Sequence, residues 1–144
     1  MRADLEPLND LIKALSPVER KKLAKKLGMQ IRKNAGQRIK KNVDPDGNAF
    51  KARKPQKYAM KKGRMFKKLS QLRRMKINAT SNSVTVRYKN GLDSYIAGVH
   101  QRGESARINK DSRVKHKYAV RQLFGINDKD TGEMATTITD HLGF

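Results

Sequence analysis

Apolar residues recur along this chain with changing periods, and the changes divide it into elements. Leu5, Leu8, Leu11, Ile12 and Leu15 fall at three- and four-residue spacing, which predicts one apolar stripe on a helix. Ser16-Pro17-Val18-Glu19 stops that helix and starts another, with a capping hydroxyl, Pro at the first helical position and Glu at the third. Leu23, Leu27, Ile31, Ala35 and Ile39 then recur at spacing four, which predicts a helix to Asn42 of about 26 residues and roughly 39 Å. Gly28 and Gly36 each weaken it by about 1 kcal/mol relative to Ala and mark candidate kinks.

Asp44-Pro45-Asp46-Gly47 predicts a tight turn, since Pro presets φ, Asp bonds local amides and Gly accepts positive φ. From Asn48 to Gly63 the chain is polar, basic and interrupted by Pro55, which reads as an irregular arm with a short helix at 57–62. Met65, Phe66, Leu69, Leu72 and Met75 predict another short helix. The period then falls to two. Ile77 and Ala79, then Val84, Val86 and Tyr88, alternate around Thr80-Ser81-Asn82-Ser83 as a β-hairpin with one buried face. Asn90-Gly91 reads as a second turn. Tyr95 to Gln101 predicts a short helix ending at Gly103, and Glu104 to Arg113 a flexible loop. Val114 to Val120 reads as a third strand. Leu123, Phe124 and Ile126 read as core, followed by a last helix capped by Asp128 or Asp130 and running through Leu142. Helices, a small antiparallel sheet and a closing helix make the class α+β.

Composition narrows the function. The 144 residues carry 34 Lys and Arg against 13 Asp and Glu, a net charge of +21, and only 36% are hydrophobic and 6% aromatic. The predicted core is therefore small and mostly aliphatic. The charge is uneven: −1 over residues 1–16, +9 over 17–43, +10 over 44–78, +6 over 79–126 and −3 over 127–144. Two acidic ends thus flank a basic middle, and they either dock on a neighbouring subunit or fold back on their own chain. With no Cys there is no disulfide framework, zinc ribbon or thiol nucleophile. No apolar run approaches the roughly 20 residues that span a bilayer, and Met1 to Asp10 is not a signal peptide, so cytoplasm, or an assembly built there, is the expected setting. Leu23, Leu27 and Ile31 beside Lys and Arg resemble an interfacial helix, but a core face is the simpler reading and no membrane contact is expected.

Candidate chemistry is sparse. His100, His116 and His141 have no partner at ligand or triad spacing, no phosphate-binding glycine loop is present, and a calcium loop begun at Asp44 would need its twelfth ligand at Pro55. No enzyme, cofactor or metal is expected. The basic runs dominate. Lys51, Arg53, Lys54, Arg64, Arg73 and Arg74 are the candidate contacts to a polyanion or another subunit. Stacking aromatics near them are few, so contacts to phosphates without base reading are the nucleic-acid alternative.

Arg38-Ile39, Asp44-Pro45-Asp46-Gly47, Phe50 and Arg53-Lys54 are followed by Ile96-Ala97, Val99-His100-Gln101 and Gly103. Arg121, Leu123-Phe124-Gly125-Ile126 and Asp130 come after them. In this order and spacing, with Leu15-Ser16-Pro17 and Glu19-Arg20-Lys21 before them, they resemble the phage virion morphogenesis family, the tail completion family of contractile-tailed temperate bacteriophages. The aromatic after the turn, often Trp in that family, is Phe50 here. The resemblance covers residues 5–142; the length and pattern give a single domain over 1–144, with a helical hairpin at 1–43, a basic arm at 44–64 and an α+β core at 65–144. It implies a structural protein of the virion, assembled in the bacterial cytoplasm. Such a protein completes the tail and joins it to the head at the neck as a ring of identical subunits, hexameric by the resemblance. Its implied partners are itself, other tail and neck proteins and passing double-stranded DNA.

Overall fold

A computed structural model describes residues 9–53, 64–107, 111 and 113–143. Its elements are α1 (Asn9–Lys13), α2 (Pro17–Lys40), a 3-10 turn (Leu72–Arg74), β1 (Met75–Ala79), β2 (Val84–Tyr88), α3 (Gly91–Arg102), β3 (Ser105–Arg107), β4 (Lys115–Lys117) and α4 (Asp128–His141). The α+β class is as expected. Leu5 and Leu8 of the first expected stripe, Lys54, and the helix expected over 57–62 lie outside the described residues.

α2 is the spine. The Ser16 hydroxyl accepts from the Glu19 backbone N–H at 3.2 Å and Pro17 opens the helix, as the sequence predicts. The helix stops at Lys40, two residues short of expectation, because Asn42 turns left-handed with φ +57°. The N–H groups of Asn42 and Val43 then return to the carbonyls of Ile39 and Arg38, which satisfies the last turn.

Two apolar clusters form along this spine. Leu23, Leu27 and Ile31 pack with Met134 and Ile138 of α4. Ile39 packs with Phe50, Leu69, Met75, Tyr88, Ala97 and Leu123. The apolar stripe of α2 is therefore core. Gly28 and Gly36 are buried contact points rather than kinks of note: a Cβ on Gly28 would lie 2.5 Å from Ile77 Cγ2 and 2.7 Å from Val84 Cγ2. Bare backbone there lets α2 lie flat on the hairpin.

β1 and β2 pair antiparallel with Ile77 opposite Val86 and Ala79 opposite Val84, the expected register. Thr80 Oγ1 accepts from the N–H groups of Asn82 and Ser83, which closes the turn. The inner face packs on α2, and the outer face carries Lys76 opposite Arg87 and Asn78 opposite Thr85.

Four expectations need correction. Residues 65–75 do not form one helix: turns lead to the 3-10 segment, Leu69 is buried with the second cluster, and Met75 already belongs to β1. Asn90-Gly91 is not a hairpin turn but the start of α3, four residues earlier than expected, with the Asn90 side chain accepting from the Asp93 N–H at 2.7 Å. Its first turn escaped the apolar pattern because Leu92 and Tyr95 are exposed. The loop expected over 104–113 contains β3, and the strand expected over 114–120 is only Lys115–Lys117. The two pair as a second, separate ladder. Finally, Asn127 rather than either Asp caps α4. Asp130 is its third residue and bonds back to the Asn127 N–H, a reciprocal capping box.

Candidate functional site

The residues that carry the family resemblance are scattered over more than a hundred positions of sequence, and the fold ties many of them into two adjoining hydrogen-bonded knots. The first lies where α2 meets α4. Arg38 Nη1 donates to Asp130 Oδ2 at 2.6 Å, and Arg38 Nη2 donates to the Gly125 carbonyl at 2.7 Å. Asn34 Nδ2 donates to both Asp130 Oδ1 and Glu133 Oε2. Asn127 Nδ2 reaches the Pro45 carbonyl at 2.8 Å, which fastens the Asp44–Gly47 turn to the segment before α4. That turn is closed by the Asn48 N–H on Asp44 Oδ1 at 2.8 Å, with Gly47 at φ +85°. Gly125 is a point of contact here: a Cβ on it would come within 2.6 Å of Pro45 Cγ.

The second knot lies at the root of the basic arm. Gln101, on α3, accepts from the N–H groups of Leu123 and Phe124 and donates to the Phe124 carbonyl. The Arg121 N–H donates to the His100 carbonyl at 2.8 Å. The Arg121 side chain, only 6% exposed, donates through Nε to the Lys51 carbonyl at 2.7 Å and through Nη2 to the Ala52 carbonyl at 3.2 Å. Its Nη1 lies 3.1 Å from His100 Nδ1. A guanidinium only donates, so Nδ1 accepts and the ring is neutral with its proton on Nε2. Phe66 and Tyr118 meet the same ring edge-on, at 4.7 and 4.9 Å between centroids.

Electrostatics follow from this packing. Burial, then the Arg121 guanidinium, hold His100 down at about 4. Burial lowers Arg121 from its ordinary value and Arg53 adds to that, while Tyr118 opposes it. In the second apolar cluster, Tyr88 donates its hydroxyl to the Leu69 carbonyl at 2.7 Å, and burial followed by the Asp93 carboxylate pushes its phenol up. A His held neutral in the native state takes up a proton first in the unfolded chain. His100 therefore stabilises the fold above its ordinary value near 6.5, and that contribution drains away as pH falls from there toward about 4. The loss is on the order of 1–2 kcal/mol after allowance for the ring's partial exposure. Urea unfolding between these pH values is expected to show a shallower loss for His100→Asn than for the unaltered protein. Equal slopes would show that His100 does not set this dependence.

The five described candidate contact residues, Lys51, Arg53, Arg64, Arg73 and Arg74, differ in their surroundings. Lys51, Arg53 and Arg64 are exposed, and Lys54 lies outside the described residues. Lys51 and Ala52 are gripped by their carbonyls, which leaves the Lys51 ammonium at the surface. Arg73 is exposed, with Nε 3.2 Å from Gln71 Oε1. Arg74 turns inward instead: its Nη1 donates to both oxygens of the buried Asp93, at 3.1 and 2.9 Å. No three His, Cys, Asp or Glu side chains among the described residues group as a metal site. No helix of the described residues is long and apolar enough to cross a membrane. Arg121, the residue that organises the arm's root, gave no functional signal in the sequence beyond its place in the resemblance.

Both knots hold backbone segments in register, and neither gathers a nucleophile with a base. The model of the phage virion morphogenesis family matches residues 3–143. The chain is 32% identical over 139 residues to tail completion protein S of Escherichia phage P2, covering 94% of this chain and 92% of that protein. No solved structure matches it significantly. By the length of the match and the identity across it, the chain belongs to the phage virion morphogenesis family.

Proposed function

We propose that this protein is a structural component of a phage tail, built into the virion, that completes the tail as an oligomeric ring at the junction with the head. The similarity to a tail completion protein over nearly the whole chain carries this reading. The site geometry supports it, since Arg38, Asp130, Arg121 and Gln101 are engaged in bracing the fold.

A closed ring needs two different surfaces on each subunit, one for each neighbour. α3 offers one: Leu92 and Tyr95, 67% and 58% exposed, lie three residues apart on its outer side, and exposed Tyr suits a subunit interface. The exposed carboxylates Asp10, Asp128 and Asp140 offer acidic positions to a neighbour's basic stretch. Of the C-terminal acids, Asp130 and Glu133 are already engaged by α2 of the same chain. The partners in this reading are a second copy of the chain and other tail and neck proteins. Light scattering of the purified protein, alone and with tail tubes, tests it. A discrete oligomer is expected, six copies in the hexameric case, that a folded Leu92→Asp/Tyr95→Asp variant loses. A monomer that ignores tails and fails to restore tail completion to a deficient phage would overturn the reading.

A further inference from the structure

The outer face of the β1–β2 hairpin carries an unresolved electrostatic cost. Lys76 stands directly opposite Arg87 across the ladder. Like charges at directly opposed positions destabilise a strand pair. One rung further on the same face, the Lys89 N–H donates to the Arg74 carbonyl, which places Lys89 beside the pair. Lys76, Arg87 and Lys89 are all exposed, and no carboxylate among the described residues lies within ion-pair distance of them. Arg74, the fourth cation on this face, is neutralised by Asp93, so the other three stand out as the unpaired set. In the other direction the face continues with Asn78 and Thr85, both able to donate hydrogen bonds. Same-face rungs of a strand repeat about every 7 Å.

Two considerations identify what covers this face. A second copy can offer this face only the few exposed carboxylates, such as Asp10, Asp128 and Asp140, and an assembly of identical subunits still keeps +21 per subunit. The partner must be anionic. It also meets a face with no apolar anchor, formed by Lys76, Asn78, Thr85, Arg87 and Lys89. Protein interfaces are centred on aromatic and apolar residues and depleted in Lys, whereas phosphate backbones are gripped by Lys, Arg and short polar side chains. We propose that the outer face of β1–β2 is a phosphate-backbone contact for duplex DNA, formed by Lys76, Arg87 and Lys89 and blind to base sequence. It goes beyond the tail-completion reading and stands whether or not the chain forms a ring.

Duplex DNA of arbitrary sequence is titrated into the purified full chain at roughly 50 and 200 mM salt. Steeply salt-dependent binding is expected. Lys76→Gln/Arg87→Gln/Lys89→Gln removes three phosphate contacts, so the slope of log affinity against log salt falls by about 2–3 and affinity at the lower salt by about tenfold or more. The three residues are exposed, and relief of the opposed charges leaves the melting temperature equal or higher. Lys76→Arg/Arg87→Lys keeps the charge and is expected to keep the slope. An unchanged slope in the triple variant overturns the proposal, as does failure of the unaltered protein to bind DNA at the lower salt. Loss of binding to a poly-glutamate peptide with no DNA binding overturns it in favour of an acidic protein partner. Rescue of tail completion by the triple variant is scored separately, so failure of the ring reading and of the DNA contact remain distinguishable.

Discussion

Removal of residues 127–144 is expected to unfold this protein rather than release a soluble, assembly-deficient subunit. The segment is the most acidic part of the chain, with net charge −3, and its charge alone leaves open whether it docks on a neighbour or folds back on its own chain. In the fold it is α4, and Met134 and Ile138, 3% and 0% exposed, close the cluster over Leu23, Leu27 and Ile31. Truncating one such residue costs about 2–5 kcal/mol. Losing both, with the Asp130 network, is comparable to the roughly 5–15 kcal/mol by which a domain is stable. Circular dichroism through a urea titration is expected to show no cooperative transition for the truncated chain. A native-like midpoint would show that α4 is dispensable to the fold. Truncation is thus the wrong instrument for locating subunit contacts, and substitutions at exposed Asp128 and Asp140 are the right one.

Asp130→Ala is expected to be the most damaging single substitution among the charged residues, at about 3–5 kcal/mol. The carboxylate is 8% exposed and its Arg38 partner 13%, so the change strands a buried guanidinium beside the Gly125 carbonyl. It also removes half of the capping box at the start of α4. Urea unfolding measures the loss. Adding Arg38→Met to Asp130→Ala is expected to return part of it, because the stranded charge goes too. A loss below about 1 kcal/mol for Asp130→Ala, or no recovery in the double variant, would show that the pair is not what secures α4 to α2.

The parts of the fold that were legible in the sequence are those whose cause is local. Ser16-Pro17 caps α2 through a hydroxyl three residues from the amide it satisfies. Asp44 closes its own turn on Asn48, and the alternation from Ile77 to Tyr88 sets the hairpin register because one face is buried on α2. The α2 stripe was legible for the same reason. What was not legible depends on distant partners. β3 and β4 have three residues each, and their inward pair, Ala106 and His116, gives no alternation to read. Val114 and Val120, 67% and 66% exposed, suggested a longer strand than exists.

The same division holds for the site. The basic residues were visible as composition, but their roles were not. Arg74 and Arg73 are adjacent, yet one is spent on Asp93 and the other is exposed, a difference fixed by Asp93 nineteen residues later. Arg121 holds carbonyls some seventy positions earlier, and no local pattern announces that. Lys76 and Arg87 became a pair only when the register placed them opposite each other.

The contacts between α2 and α4 join the two ends of the chain. Asn34 bonds Glu133 across 99 positions, and Lys26 Nζ lies 3.0 Å from His141 Nδ1 across 115. On the ribosome, Leu23, Leu27 and Ile31 of α2 emerge early and wait about a hundred residues before Met134 and Ile138 arrive to complete their cover. Until then the nascent chain shows a greasy helix and a heavily cationic middle beside the anionic RNA of the translation machinery. The native core therefore closes only once α4 has been made, and premature termination anywhere before α4 yields material for proteolysis instead of a defective part for the particle.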